Sequence, residues 1–516
     1  MHMILLPSLL LLAPVPQDWS AYPLPSLSVP PAHAEGPELL GTGSHIALLP
    51  DHITGEPHLE ASLAPSLLTQ IVSGYFSRSG LSLIPGSNPL LVLAPAQEHR
   101  ELKAIFASLE DASQTLQIRL QVALLPGLPE SLPAGIKQTG DSASNTPGTT
   151  YTGALRSGDS ITFGSRTERS FIGGYEIDVA TDSGVADPHR SSAASGETIH
   201  LTCARVLGGR AVHVEGVLDL AALGEITSFD PDTPELGEIE QPRVAICQVA
   251  FSGVATPDEP LRIVISGSEH FGDRTLFVSA STQEDQPAPA VGWAVRDLAF
   301  LASKGLKLSA PEPGLRPFSA AKAALPAGLT PTSPGSLVGL LTERSSLGAD
   351  TARIHSAERL LLIPVTAPGA LARAEALVSA METPLLAQAT CVLRHGETRV
   401  ELCTTHGRLV RVLIGEEKPW LVDYQTEIAP NTWMPSPVTE VAFDGICLEG
   451  RANAGTLSAR WWVSGTPAVH VATSSFANLG AIQQVERSYA AGNAHLERGS
   501  SRAISGLSAP LELGLE

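Results

Sequence analysis

Cys391-Val-Leu-Arg-His395 and Cys403-Thr-Thr-His406 bring two thiols and two imidazoles into one short stretch. Thiolates and imidazoles are the usual ligands of zinc, and the spacing within each pair suits a zinc site. Between them His395-Gly-Glu-Thr398 reads as a hairpin turn, which would set Cys391 nearly opposite Cys403. Facing side chains on paired strands lie about 4.5–5.5 Å apart, within reach of a disulfide. Strand alternation puts residues 391 and 395 on one face but points 403 and 406 opposite ways, so tetrahedral binding by all four conflicts with a hairpin. Three readings therefore stand: a metal site at Cys391, His395, Cys403 and His406, a Cys391–Cys403 disulfide, and the favoured one, small buried thiols. The remaining cysteines, Cys203, Cys247 and Cys447, make an odd total of five.

Other clusters have simpler readings. His45, His52 and His58 among Asp51, Glu56 and Glu60 have spacings that fit neither helix nor strand ligand pairs, and read as a solvated loop. The carboxylates from Asp230 to Glu238 lack the Asp-x-Asn/Asp-Gly run and distal Glu of a calcium loop, and read as an acidic turn. Ser268, His270 and Asp273 are the residue types of a hydrolase triad, but neighbours on one loop cannot form the Ser–His–Asp relay, and no G-x-S-x-G elbow is present. H-E-x-x-H, a P-loop and a strand-linked G-x-G-x-x-G are also missing. No catalytic residue, cofactor or metal is assigned, and the chain reads as non-enzymatic. The alternative is a secreted hydrolase whose site is assembled from distant residues.

The elements that would position these groups are mostly strands. The 516 residues include 41 Pro and 46 Gly, with 43% apolar and 17% charged, which favours short strands joined by turns over long helices. The expected fold class is a β-rich α+β protein. A net charge of −20 without a basic cluster excludes a nucleic-acid groove. Residues 1–16 carry the apolar run Met3–Ala13, of signal-peptide length and too short to span a bilayer, and no Lys or Arg occurs before Arg78. Export follows as an expectation, although a basic n-region is missing and Ala32-His-Ala34 lies far beyond the run. Residues 17–65 read as an extended Pro-rich arm.

A repeat organises the rest. Phe171 to Gly196 aligns without a gap on Trp420 to Gly445, with five identities in 26 positions, among them Tyr175 with Tyr424 and Pro188 with Pro437. In both places the segment follows a strand, a helix and another strand. The expected plan is two tandem copies of a small helix/strand domain, each followed by an antiparallel β-sheet domain. The α+β parts are 66–125 and 337–395, and the β-rich parts 151–282 and 396–475. Residues 126–150 and 283–336 are linkers, the latter with a helix at 293–304, and 476–516 is a polar tail with a helix near 481–489. Tyr175 and Tyr424 read as core packing or as equivalent interface residues.

Across residues 66–125 the order is helix, strand, strand, helix, strand. Leu90-Leu-Val-Leu-Ala-Pro, Glu98-His-Arg-Glu-Leu, Ile105-Phe-Ala-Ser-Leu-Glu-Asp and Gln117-Ile-Arg-Leu-Gln-Val resemble the ring-building periplasmic domain of the secretin family, outer-membrane channels of secretion and pilus systems. The following β-rich part is similar to the family's channel domain only in being a series of strands, and its V-P-x-L-G-x-I-P-x-x-G lip signature is absent. The resemblance implies an exported scaffold in the periplasm or cell envelope that binds protein partners or self-associates. The residues add further expectations: no transmembrane helix, because no run reaches the ~18 apolar residues one needs; no nucleic-acid binding, from the charge; and, with the lip signature absent, a protein that associates weakly at most and does not itself conduct.

Overall fold

The computed structural model describes residues 17–22, 46–47, 82–84, 90–131, 148–179, 183–233, 236–284, 293–303, 305, 355–357, 359–364, 368–429, 432–453, 455–473, 481–504 and 511–516. The leader, the first helix expected within 66–125 and His45, His52 and His58 lie outside them, as does most of the 17–65 arm and of the 283–336 linker.

In the first half, β1 (Gln17–Tyr22), β2 (Ile46–Ala47), β3 (Ser82–Ile84) and β4 (Leu90–Pro95) precede helix α1 (Ala96–Thr115). Then come β5 (Gln117–Pro126), β6 (Thr149–Arg156), β7 (Ser160–Val179), β8 (Gly184–Val206), β9 (Ala211–Phe229), β10 (Ile239–Ala255), β11 (Leu261–Ser266) and β12 (Arg274–Thr282). The second half opens with β13 (Trp293–Asp297), a short helix α2 (Ala299–Ala302), β14 (His355–Ala357), β15 (Leu360–Pro364) and helix α3 (Pro368–Leu385). It continues as β16 (Gln388–His395), β17 (Thr398–Thr405), β18 (Leu409–Ala429), β19 (Thr432–Asn453), β20 (Thr456–Thr473), β21 (Ala481–Glu497), β22 (Ser500–Ile504) and β23 (Leu511–Leu515).

Two large antiparallel sheets make the body. The nine-stranded one has the order β2-β8-β9-β10-β18-β19-β20-β21, with β7 also paired to β8. The eight-stranded one runs β22-β23-β16-β17-β11-β12-β5-β6. Both cross from one half of the chain to the other, at β10–β18 and at β11–β17. Period-two alternation brings their inner faces together in one core, with Ile118, Val122, Val214, Phe251, Leu276, Leu402, Val412 and Leu448 all buried. Two three-stranded sheets, β1-β4-β3 and β13-β15-β14, share one strand order.

Helix α1 starts directly after Pro95, whose ring fixes an extended approach, and buries Leu102, Ile105, Phe106 and Leu109 at helical spacing. Tyr22 from β1 reaches it, with its hydroxyl 2.7 Å from His99 Nδ1. Helix α3 belongs to a second cluster with Phe300 of α2, Leu361 and Ile363 of β15, and Val206 at the end of β8. Glu382 of α3 accepts a hydrogen bond from the Leu207 N–H at 2.8 Å, which ties the helix to the nine-stranded sheet.

The aligned segments adopt the same local geometry. In the β7–β8 ladder Tyr175 faces Pro188 and the register shifts between Ile172 and Gly174. In the β18–β19 ladder Tyr424 faces Pro437 and the register shifts between Leu421 and Asp423. Each shift frees a backbone N–H, which a side chain from a later strand takes up: Ile172 donates to Glu240 at 2.7 Å, and Leu421 to Gln483 at 3.0 Å. Each tyrosine hydroxyl donates to a carbonyl near the start of that later strand, Tyr175 to Glu238 at 3.5 Å and Tyr424 to Ala481 at 3.1 Å.

Residues 117–126 form β5, which lies between β12 and β6 in the eight-stranded sheet, where Ile118, Leu120 and Val122 join the core. Several expectations are corrected. The expected helix at 293–304 is β13 followed by the four-residue α2, because Trp293–Asp297 pairs with the apolar Leu360–Pro364 run. The expected helix near 481–489 and loose tail are β21, β22 and β23, which complete both sheets. Along β21, pairing with β20 makes Ala494 and Leu496 core residues, and tertiary pairing overrides the local Ala-rich helix preference.

Gln483 also accepts from Gln241 Nε2 at 2.5 Å and is buried. Gln483→Ala leaves the Leu421 N–H and Gln241 without that partner, so it should cost about 1–3 kcal/mol, read as a lower denaturant midpoint at unchanged slope. The half-exposed Glu240→Ala should cost less.

Candidate functional site

Polar chemistry concentrates on the outer face of the nine-stranded sheet. On β9, Val212, Val214, Leu218 and Leu220 point into the core, so His213, Glu215 and Asp219 must point the other way. The same alternation turns Thr198 and His200 of β8, Gln248 and Ser252 of β10, Arg411 of β18, Glu449 of β19 and Arg460 of β20 outward, while their neighbours enter the core. Strand pairing then sets these side chains side by side across both halves of the chain.

They form three ionic clusters. Arg166 of β7 donates to Asp219 at 2.7 Å and to Thr198 at 2.6 Å. Arg408, next to β18, pairs with Glu215 at 3.4 Å and donates to the Phe300 carbonyl at 3.2 Å, with its guanidinium over the Phe300 ring. Arg411 donates through Nε to Glu449 at 2.8 Å and through Nη1 to Gln248 at 3.3 Å, and Arg460 holds the other Glu449 oxygen at 2.8 Å. Arg411 is 1% exposed and Glu449 4%, so this pair is cut off from water, while Arg460 closes the cluster from the partly exposed side. Burial alone would raise the Glu449 carboxyl; Arg411 and Arg460 outweigh it and hold the group below the usual carboxylate range.

Beside the second cluster, a cavity of about 540 Å³ opens between α2 and the sheet, lined by His213, Glu215, Thr202, Phe300, Ser303 and Arg359. His213 Nε2 lies 2.9 Å from the Thr405 hydroxyl, which is 3.0 Å from Ser252. Burial, with Arg408 adding to it, pushes the His213 pKa well below its ordinary value, so the ring stays neutral at pH 7. Its partner hydroxyls are themselves buried among strands. The arrangement fixes alignment across strands; Thr405 and Ser252 point at each other and not into an open cleft.

The residues singled out in the sequence are spread over other places. The turn at Gly396 joins β16 to β17 as expected, but the register sets Cys391 across from Leu402 and Cys403 across from Thr390. The two thiols therefore face opposite sides of the sheet, and both cysteines are free, so the alternative of a Cys391–Cys403 disulfide is not formed. Burial pushes the thiols of Cys391, Cys247 and Cys447 up to about 12. Among the described residues, no group of three or more His, Cys, Asp and Glu is placed to hold a metal, Cys391, His395, Cys403 and His406 included. His270 pairs with Glu416 at 3.0 Å, and Ser268 accepts from the Phe271 N–H, so the loop triad is not assembled. In the acidic turn Asp230 accepts from the Asp232 N–H at 2.9 Å. Tyr175 and Tyr424 sit beside the two register shifts. The ionic band escaped sequence reading because its members come from seven strands; the signal available was charge at every second position of apolar runs, as in His213-Val-Glu215.

Removing Arg411 leaves the buried Glu449 carboxylate with Arg460 alone and one oxygen without its donor. Arg411→Ala should cost about 3–5 kcal/mol, and the Arg411→Met/Glu449→Leu double variant should recover most of that, because Arg460 is 34% exposed and can turn to solvent. For His213 the folded pKa lies below the unfolded one, so the unfolded chain takes up the proton first. Stability is complete above about pH 6.5 and is lost as pH falls below it, by up to about 1.4 kcal/mol per pH unit for this group. His213→Asn should remove that part of the acid slope in denaturant titrations between pH 6.5 and 5.5.

No protein-family model matches this chain, and no curated protein does. Among solved structures, it is similar to the InvG secretin domain β-barrel of the Salmonella SPI-1 injectisome at 10% identity and a TM-score of 0.25, over 53% of this chain and 90% of that one. The near-atomic InvG secretin structure from the same injectisome gives 10%, 0.24, 53% and 88%. The pilotin–secretin AspS–GspD complex of ETEC gives 12% and 0.20, over 43% of this chain and 60% of that one. These TM-scores assign no fold, and the architecture described above rests on the strand pairings alone.

Proposed function

We propose that this chain is an exported, non-enzymatic, secretin-like scaffold of the cell envelope, built from one module used twice and not itself a channel. The first copy runs from the helix/strand part at 66–125 through β12. The second starts at 337 and continues beyond 475 through β23. The observation that carries the reading is the matched device at the two register shifts. The same backbone N–H, Ile172 or Leu421, meets a side chain 243 positions apart, Glu240 or Gln483, beside a tyrosine 249 positions apart, Tyr175 or Tyr424. Strand order agrees with it: β5 to β12 and β16 to β23 pair among themselves in the same sequence.

A scaffold needs rigidity and edges, and both are present. The ionic side chains are spent on one another and on hydroxyls, which supports a positioning role over turnover. Against conduction stands the burial of the long strands: every residue of Ala211–Ala221 on β9 and of Val244–Gly253 on β10 is buried, so these stretches present no apolar face to lipid. A membrane barrel needs an outward apolar band over strands of about 9–11 residues. No helix among the described residues is long and apolar enough to cross a membrane.

Fractionating cells that make the full chain, sequencing its mature N-terminus and recording it in planar bilayers tests this reading. The expected result is an envelope or periplasmic protein shortened at its N-terminus that gives no steady conductance. Intact Met1 in the cytosol, or stable channels from the purified protein, contradicts it.

A further inference from the structure

We infer that the cavity between α2 and the nine-stranded sheet is a binding site for a small organic anion, a carboxylate with a compact apolar body. Its volume of about 540 Å³ is that of a small-molecule pocket. Thr202 and Ala204 of β8 and Glu215 of β9 reach it from the outer face of the sheet, because their neighbours Leu201, Cys203 and Val214 enter the core. Helix α2 stands over them with Phe300 and Ala302, and Ser303 and Arg359 complete the polar part of the wall.

The charge around this cavity is opposite in sign to that of the chain. The protein carries 53 acidic and 33 basic side chains. Here, Arg359 with Arg156 acting on the same Asp159, and Arg408 with Arg451 beside it, stand against Asp159 and Glu215. A cleft with an excess of one sign concentrates ions of the other. Arg359 is placed to receive such an ion, since its side chain is 39% exposed and reached from solvent. Its Nη1 donates to Asp159 at 2.9 Å, and a guanidinium has further donors in the same plane to offer a carboxylate in bidentate form. Arg408, 2% exposed, uses Nη1 and Nη2 on Glu215, Ser303 and the Phe300 carbonyl, but its Nε is buried without a hydrogen-bond partner among the described residues. Glu215 and Ser303 both line the cavity, so an acceptor is lacking at its wall, to be supplied by the ligand or by a water the ligand holds. A cation would meet two carboxylates that each already have an arginine. Phosphate would leave Ala204, Ala302 and the Phe300 ring uncovered, whereas an aromatic or branched aliphatic body on a carboxylate removes them from water.

The test is titration of the full chain with para-fluorobenzoate, followed by fluorine NMR. Saturable binding is expected with a dissociation constant of about 1 mM or below, the range for a ligand of about ten non-hydrogen atoms, and unlabelled benzoate should displace the probe. para-Fluorobenzylamine, with the same body and the opposite charge, should not bind, and inorganic phosphate at the same concentration should not displace the probe. Arg359→Gln should weaken binding by about tenfold or more. Ala302→Trp, which fills the cavity and removes no ion pair, should abolish it. In the unmodified protein the bound probe should slow amide exchange over Ala299–Ser303 and leave β20 unchanged. No saturable binding at ~10 mM probe overturns the inference. So does equal binding of the amine, displacement by phosphate, or binding that both variants keep while their circular dichroism matches the parent. Unchanged exchange over Ala299–Ser303 in the saturated parent overturns it however the variants fold.

Discussion

The antiparallel pairing of β10 with β18 is the constraint from which the rest of the architecture follows. It joins strands from the two halves of the chain over Val244–Ala250 and Arg411–Glu417. With it, two four-stranded groups become one continuous surface, and β11 on β17 does the same for the second sheet. The shared core then runs under the junction, with Val249 and Phe251 on one side and Val410 and Val412 on the other. Without it each half would end in an open edge, and the apolar face of each sheet would lack the neighbour that keeps water off it.

The ionic band reinforces this junction. Arg411 of β18 reaches Gln248 of β10 and Glu449 of β19, and Arg408 reaches Glu215 of β9. A buried ion pair adds little net stability over an apolar pair, since desolvation offsets much of the Coulomb attraction, but a mispaired one is costly. Charges at alternate positions of otherwise apolar strands therefore act against register slips, because a slip by one residue would drive Arg411 and Glu449 into the core. The register shifts at Ile172 and Leu421 pin the far ends of the same strands.

The sequence made some of this readable. Leu90–Pro95, the helix after it and the alternating Gln117–Pro126 strand follow from local pattern, and so does the echo of Tyr175 and Pro188 in Tyr424 and Pro437, which turn out to be facing pairs in two hairpins. Other features depend on partners far along the chain. Strand β21 is Ala-rich and polar by itself and becomes a strand through β20. A hairpin turn with Cys391 opposite Cys403 would need a register one residue away from the one formed; the ladder pairs His395 with Thr398, which displaces the cysteines by one position. The pairing of β5 is equally non-local, since its hydrogen-bonding partner β12 lies beyond four further long strands.

Amide hydrogen exchange across the junction tests most directly whether the two halves are one sheet. The account predicts that the amides of Val244–Ala250 and Arg411–Glu417 exchange as slowly as those of the central β9–β10 ladder, because both are interior to the same surface. Exchange of the junction amides at the rate of β7, which pairs only with β8 among the described strands, with β9 and the inner part of β10 still protected, would contradict it and make the halves separate bodies.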